Sequence, residues 1–237
     1  MLFDFDGFID SFHGLLSRVP ITFGIAFIAF FLGSVIGLLV ALTRIYKVPV
    51  LKSISRFYVS FIRGTPLVVQ LYLANYGIAR ILYWLQTHTE TFANFNASAI
   101  RPEWYGMLAF TINLGAYLSE TIRASIEAVD IGQFEAAKSI GMTTKRTMLR
   151  IVIPQALKVA IPNLNNTIIN TIKDTSLLFT IGIIDMMGQA KIFGARTLSL
   201  IEAYVAVSII YWVTCFILEK VFGHVEEKMK IHDKAIA

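Results

Sequence analysis

Apolar runs of about a bilayer's length alternate with short polar stretches along this chain. Residues 19–43 hold no charged side chain, enough to cross a hydrocarbon layer that needs ~20 residues of helix. A second run opens at Gly64-Thr65-Pro66, with proline near the first turn, where its missing N–H is tolerated. It extends to about residue 85. Arg80 near its far end can snorkel to the headgroups, and Tyr83 and Trp84 suit the aromatic belt. A third spans about 104–122. The fourth counts only 14 uncharged residues, from Val159 to Ile172, and reaches a crossing length when Gln155 to Lys158 are added. The fifth, Ala203 to Leu218, is extended by Glu202 and Glu219. The pattern predicts an all-α fold, a polytopic membrane helical bundle of one domain, with about five transmembrane helices at about 19–43, 64–85, 104–122, 155–173 and 202–219.

Two stretches break the pattern. Lys173, Asp174, Thr175 and Ser176 interrupt the fourth run, and Leu177 to Ile184 resumes it, which predicts a short re-entrant or interfacial helix over about 177–190. Ionisable residues at membrane depth cost ~2.5–3.5 kcal/mol each or more, so they face a bundle interior or a water-filled path. The alternative is an ordinary Lys–Asp pair at the membrane surface. The other break, Gly132 to Pro154, is the longest clearly water-loving, helix-forming segment. Glu135, Ala136 and Ala137 favour helix, and Gly141 offers a left-handed stop. Thr143 or Thr144 can cap a second helix carrying Met148, Ile151 and Val152 at helical spacing. Pro154 sits where a new membrane helix would begin. The segment 130–154 therefore reads as a helix–turn–helix at the water interface. Ahead of the first span, Asp4 and Asp6 alternate with Phe3, Phe5 and Phe8, the composition of an amphipathic segment lying at the interface. Gly33 and Gly37, four apart, permit a close helix contact.

Composition agrees: 56% of residues are hydrophobic and 16% charged, against about a quarter charged in soluble domains, and the mean hydropathy is +0.65. The net charge of +5 invites a nucleic-acid reading, but its placement argues for membrane orientation. Fifteen of the 21 Lys and Arg residues lie in 44–63, 123–158 and 219–237, and five (Arg18, Arg101, Lys173, Lys191, Arg196) lie in the opposite-side segments. The positive-inside rule puts the fifteen in the cytoplasm, with the N-terminus outside and the C-terminus inside. The single cysteine, Cys215, excludes an intrachain disulfide, and the four histidines show no metal-ligand spacing. The chain contains no GxxxxGK[ST] phosphate loop, so if ATP powers anything here, a partner binds it.

The interfacial segment carries a resemblance. Glu135-Ala136-Ala137, Gly141, Ile151 and Pro154 fall in the register of the EAA loop of ABC importer membrane subunits, with Ile153 where leucine is usual. The resemblance implies a type I (MetI-like) permease fold and no enzymatic activity. It implies a coupling helix, formed around Glu135, Ala136, Ala137, Gly141 and Pro154, that docks into a groove of a cytoplasmic ABC ATPase. That ATPase binds ATP and Mg; this subunit needs no cofactor or metal. A solute-binding protein outside the cell and a second permease subunit, identical or paralogous, complete the assembly in a bacterial inner membrane. The stretches RGTPLVVQL, AYLSETIRA, GQFEAAKSIG and IKDTSL are similar to the polar amino-acid permeases of the histidine/glutamine/arginine/opine subfamily. With ARTLSLIEAYVAVSIIYW, the chain resembles the L-cystine permeases. A zwitterionic cargo needs inward polar groups; the candidates are Thr65, Gln70, Tyr117, Glu120, Lys173, Asp174, Thr175 and Ser176. Asp174 would meet the ammonium and Lys173 the carboxylate; alternatively these groups fasten helix to helix. Rival readings are a permease for another polar amino acid (glutamine, histidine, arginine or glutamate), a lone ion-coupled carrier, a membrane enzyme and a passive scaffold.

Overall fold

The computed structural model describes residues 3–92 and 96–234, so part of the stretch between the second and third expected spans and the last residues of the basic 219–237 segment lie outside it. Every described element is helical. In chain order they are α1 (Phe5–Leu16), α2 (Val19–Ile45), α3 (Leu51–Arg63), α4 (Leu67–Tyr72), α5 (Ala79–His88), α6 (Pro102–Glu127), α7 (Ile131–Ser139), α8 (Thr144–Thr147), α9 (Ile153–Asp174), α10 (Met186–Thr197) and α11 (Leu200–Lys234). Short π-helical turns join α4 to α5 (Leu73–Ile78) and α8 to α9 (Met148–Val152), and a 3-10 segment, Thr175–Ile181, follows α9.

Among the described residues, α2 and the 200–228 part of α11 are each long and apolar enough to cross a membrane alone. Two bent pairs qualify together: Leu51–Arg63 with Leu67–His88, turned by 108°, and Thr144–Ile181 with Met186–Thr197, turned by 52°. The helix at the centre is α6, which packs against α2, α3, α4 and α9. It is not among the helices apolar enough to qualify as a span, and several of its polar groups are buried. Thr111, Ser119 and Ser125 are all buried, and the Ser119 hydroxyl donates to the Ala116 carbonyl at 2.7 Å. With 26 residues it is ~39 Å long at 1.5 Å per residue, more than the ~30 Å hydrocarbon core.

Three apolar clusters hold the bundle among the described residues, the smallest joining Val59 and Ile62 of α3 to Ala116 of α6. The largest joins Ile25 and Ala29 of α2, Leu71 of α4, Phe110, Leu114 and Leu118 of α6 and Leu178 and Ile181 of the 3-10 segment. Another joins α1, α10 and α11 through Leu15, Met186, Ala190, Ala203 and Val207. The N-terminal segment is therefore a docked helix as well as an amphipathic one. Its entry is held by the Asp4 N–H, which donates to Glu202 Oε1 at 2.9 Å.

Several expected boundaries move. The helical run from Thr144 passes without a break into α9, although Pro154 lies in the first turn of α9. Pro154 has no N–H for the carbonyl four residues back, and the chain widens to a π turn in which the Ile153 N–H reaches the Met148 carbonyl instead. The short helix expected over 177–190 is two pieces, the 3-10 segment and α10, which runs on to Thr197. The residue between them that turns the chain is Gly182, at φ +85°, a left-handed conformation open to glycine at no steric penalty. α6 and α11 extend beyond the expected 104–122 and 202–219, because helices continue past the apolar stretch into their polar ends.

Candidate functional site

A cavity of about 370 Å³ opens where α9 ends. Its wall on the α9 side is Thr167, Asn170, Thr171 and Asp174, spaced three, four and seven residues apart and hence on one helical face. Opposite stand Asn113, Leu114 and Tyr117 of α6, and Thr65, Pro66 and Leu67 complete the wall at the turn between α3 and α4. Pro66 is extended, at φ −63° and ψ 139°, which turns the backbone and brings Thr65 to the cavity. Arg63 lies over the Tyr117 ring, 5.4 Å from its centroid.

Behind the wall sits Gln70, buried to 8% exposure. Its Nε2 donates to the Ile62 carbonyl at 2.8 Å, the Thr65 carbonyl at 3.1 Å and Thr65 Oγ1 at 2.9 Å. Its Oε1 accepts from Asn113 Nδ2 at 3.0 Å. The amide thus ties α4 to both the α3–α4 turn and α6.

A second polar cluster lies along α6 beyond the cavity. Glu120 pairs with Arg44 of α2 through one carboxylate oxygen, and with Arg123 Nη2 at 2.7 Å through the other. Arg123 also pairs with Glu127.

The polar segment after α6 folds as a helix–turn–helix. Asp130 caps α7 by accepting from the Gly132 N–H at 2.6 Å. At the other end Gly141, at φ +80°, closes a Schellman motif: its N–H reaches the Lys138 carbonyl at 2.9 Å, and the Met142 N–H reaches the Ala137 carbonyl at 3.0 Å. Thr143 caps α8, accepting from the Arg146 N–H at 3.4 Å. Ala137 is buried at 2% exposure, whereas Ile131 and Ile140 stand 69% and 79% exposed. Glu135, Ala136, Gly141 and Pro154 are exposed too.

A family model for the inner membrane component of binding-protein-dependent transport systems matches residues 33–231. The chain belongs to that family. This inner membrane component is 36% identical over 228 residues to the L-cystine transport system permease protein TcyL of Bacillus subtilis (strain 168), covering 96% of this chain and 92% of that one. It is 39% identical over 217 residues to TcyB, a second L-cystine permease of the same organism, covering 91% and 85%. Relatives named for nopaline, arginine and glutamine transport are 36%, 32% and 32% identical. A crystal structure of an amino acid ABC transporter with histidines superposes with a TM-score of 0.83 at 33% identity, covering 96% of this chain and 100% of that one. The permease is a multi-pass membrane protein, and like its family it is a transport subunit and not an enzyme.

Of the residues singled out for a cargo path in this permease, Thr65, Tyr117 and Asp174 line the cavity and Gln70 braces it. Glu120 does not line it: three residues beyond Tyr117 it is ~4.5 Å further along the helix, beside Arg44. Lys173 is exposed and outside the lining, about 100° round the helix from Asp174. Thr175 is buried and donates to the Ile172 carbonyl at 2.6 Å, and Ser176 is half-buried outside the lining. Asn113, Thr167, Asn170 and Thr171 were not among the candidates. The signal that finds them is the helical period of polar residues running back from Asp174 inside an otherwise uncharged run.

Proposed function

We propose that this chain is the membrane-spanning permease subunit of an ABC importer for polar amino acids, that its cargo is L-cystine, and that the cavity at the end of α9 is where the cargo crosses. The single observation that carries the path is a carboxylate, Asp174, on the wall of a cavity whose other polar lining is hydroxyls and amides. An ionisable group placed so is accounted for by a polar cargo. The cystine assignment is supported by the two L-cystine permeases among the relatives.

The driving force comes from elsewhere. α7 is short, capped at both ends and rigidly turned, with exposed Ile131 and Ile140 beside it, and it docks on a cytoplasmic ATPase that binds ATP and Mg. Five spans cross the membrane: α2, the run from α4 through α5, α6, α9 and α11. The N-terminus is outside and the C-terminus inside. A second permease subunit and an external solute-binding protein complete the transporter.

The test is ATP-dependent uptake into vesicles by the assembled permease and ATPase, with the binding protein supplied, across a panel of amino acids. L-cystine is expected to compete best. Asp174→Asn is expected to lower uptake about tenfold or more, the scale of a lost charge-assisted hydrogen bond or two, while the ATPase still co-purifies. Unchanged uptake removes the cavity from the path, a different best competitor replaces cystine, and uptake that survives ATP depletion but not collapse of the ion gradient makes the chain a carrier.

A further inference from the structure

The directions of several protons around the cavity wall follow from groups whose roles chemistry fixes. Backbone carbonyls only accept. Gln70 faces two of them, Ile62 and Thr65, at 2.8 and 3.1 Å, so its NH₂ must point that way and its carbonyl oxygen must point toward α6. A carbonyl oxygen also only accepts, so Asn113 must offer its NH₂ to Gln70. Asn113 Oδ1, which has no hydrogen bond among the described residues, is then the end left for the cavity. The Thr65 hydroxyl donates to the Phe61 carbonyl at 3.0 Å and accepts from Gln70, which leaves only acceptor capacity. Thr167 and Thr171 likewise direct their protons to the Asn163 and Thr167 carbonyls, each at 2.7 Å. With the Asp174 carboxylate, the wall presents acceptors from α6, α9 and the α3–α4 turn. The lining donors left over are the Asn170 amide, the Tyr117 hydroxyl and the second amide hydrogen of Asn113.

We propose that Gln70 is a positioning residue that fixes this polarity, turning acceptors toward the cargo so that the permease recognises cargo by its ammonium group. The inference rests on the reading of the cavity as the cargo path. An ammonium carries three N–H donors and no acceptor, and Asp174, Asn113 Oδ1 and Thr65 Oγ1 complement it. Without Gln70, the Asn113 amide is free to rotate about its roughly two-fold terminal torsion and present NH₂ to the ammonium. Gln70 touches no cargo; it acts through Asn113 and Thr65.

The test is affinity measured on the assembled permease–ATPase complex in nanodiscs without binding protein. The probes are L-cystine and 3,3′-dithiodipropionic acid, which is cystine lacking both amino groups. If cystine does not bind, L-arginine and 5-guanidinopentanoic acid replace them. The parent complex is expected to prefer the amino acid. Gln70→Met is expected to reduce that preference about tenfold, the scale of one hydrogen bond to a charged group. Asn113→Ala is expected to do the same, and the double variant to go no further than either single one, because both act on one contact. A merely structural role for Gln70 predicts equal weakening of both probes; that result, or effects that multiply in the double variant, overturns the proposal. If Gln70→Met fails to assemble, Asn113→Ala decides, and an unchanged preference there overturns it. Asp174→Asn separates the two readings. Unaltered cystine affinity in that variant removes the cavity from the path. Lost affinity there, with preference unmoved in Gln70→Met, removes only the role of Gln70.

Discussion

Gly33, Gly37 and Gly115 let α2 and α6 approach as close as backbones allow. A Cβ on Gly33 would lie 2.7 Å from Leu114 Cβ, and one on Gly37 3.0 Å from both Leu118 Cβ and the Ser119 nitrogen. One on Gly115 would lie 2.7 Å from Ile36 Cγ2 and from the Tyr58 hydroxyl, which donates to the Ile112 carbonyl at 2.6 Å. Overpacking of this kind costs about 1–3 kcal/mol or more. Gly33→Leu and Gly115→Leu are therefore expected to lower the thermal midpoint of the purified permease in detergent. Gly24 has nothing within 4 Å of its would-be Cβ, so Gly24→Ala is expected to be neutral, or stabilising by up to ~1 kcal/mol through helix propensity. Gly141 is a different case: the constraint is its φ of +80° with open space around it. Proline cannot adopt that angle and removes the N–H bonded to Lys138. Gly141→Pro is expected to leave the protein inserted while ATP hydrolysis proceeds without uptake; normal uptake by that variant counts against a coupling role for α7.

Between elements, the decisive joint outside the core is the carboxylate of Glu120, half-buried between Arg44 of α2 and Arg123 of its own helix. Such a group is worth more than an exposed ion pair, because its removal leaves the largely buried Arg44 guanidinium without its carboxylate partner. Glu120→Ala is expected to destabilise the permease by about 1–3 kcal/mol. A double-mutant cycle with Arg44→Ala, read by thermal unfolding, is expected to give a coupling of at least ~0.5 kcal/mol; strict additivity rejects the joint. Glu120 also shows why the site was only partly legible in the sequence. Spacing puts Asn113, Tyr117 and Glu120 on one stripe of α6, but spacing alone does not say how far along that stripe the cavity reaches or where a basic residue of another helix arrives. The polar face of α9 was legible in principle, since Thr167, Asn170, Thr171 and Asp174 keep helical register. It is masked when a segment is read only for its charges.

At the scale of the molecule, exposed apolar side chains such as Phe31 of α2 and Trp212 of α11, each 69% exposed, face where the bilayer lies. Ile131 and Ile140 are as exposed but belong to the polar helix–turn–helix that follows α6, and in the proposed transporter the ATPase covers them. In a Cys215→Ser background, Ile140→Cys is expected to react with a membrane-impermeant thiol reagent only from the cytoplasmic side. It is also expected to become protected or cross-linked when the ATPase is bound. Labelling from outside reverses the topology, and labelling unaffected by the ATPase removes α7 from the docking surface.

Local chemistry by itself determined that this chain is a bundle of membrane helices and that a capped helix–turn–helix lies between two of them. Those features depend on neighbours in the chain: uninterrupted apolar length, proline and glycine geometry, and side chains that cap the nearest N–H. The tertiary structure alone decided that α6 is the hub, that Glu120 serves an ion network and that Asn113 faces the cavity. Gln70 was singled out by its sequence context, but only packing made it a brace between α4 and α6. Each of these depends on what a distant helix places opposite the residue, and a buried polar group takes its role from the partner that satisfies it.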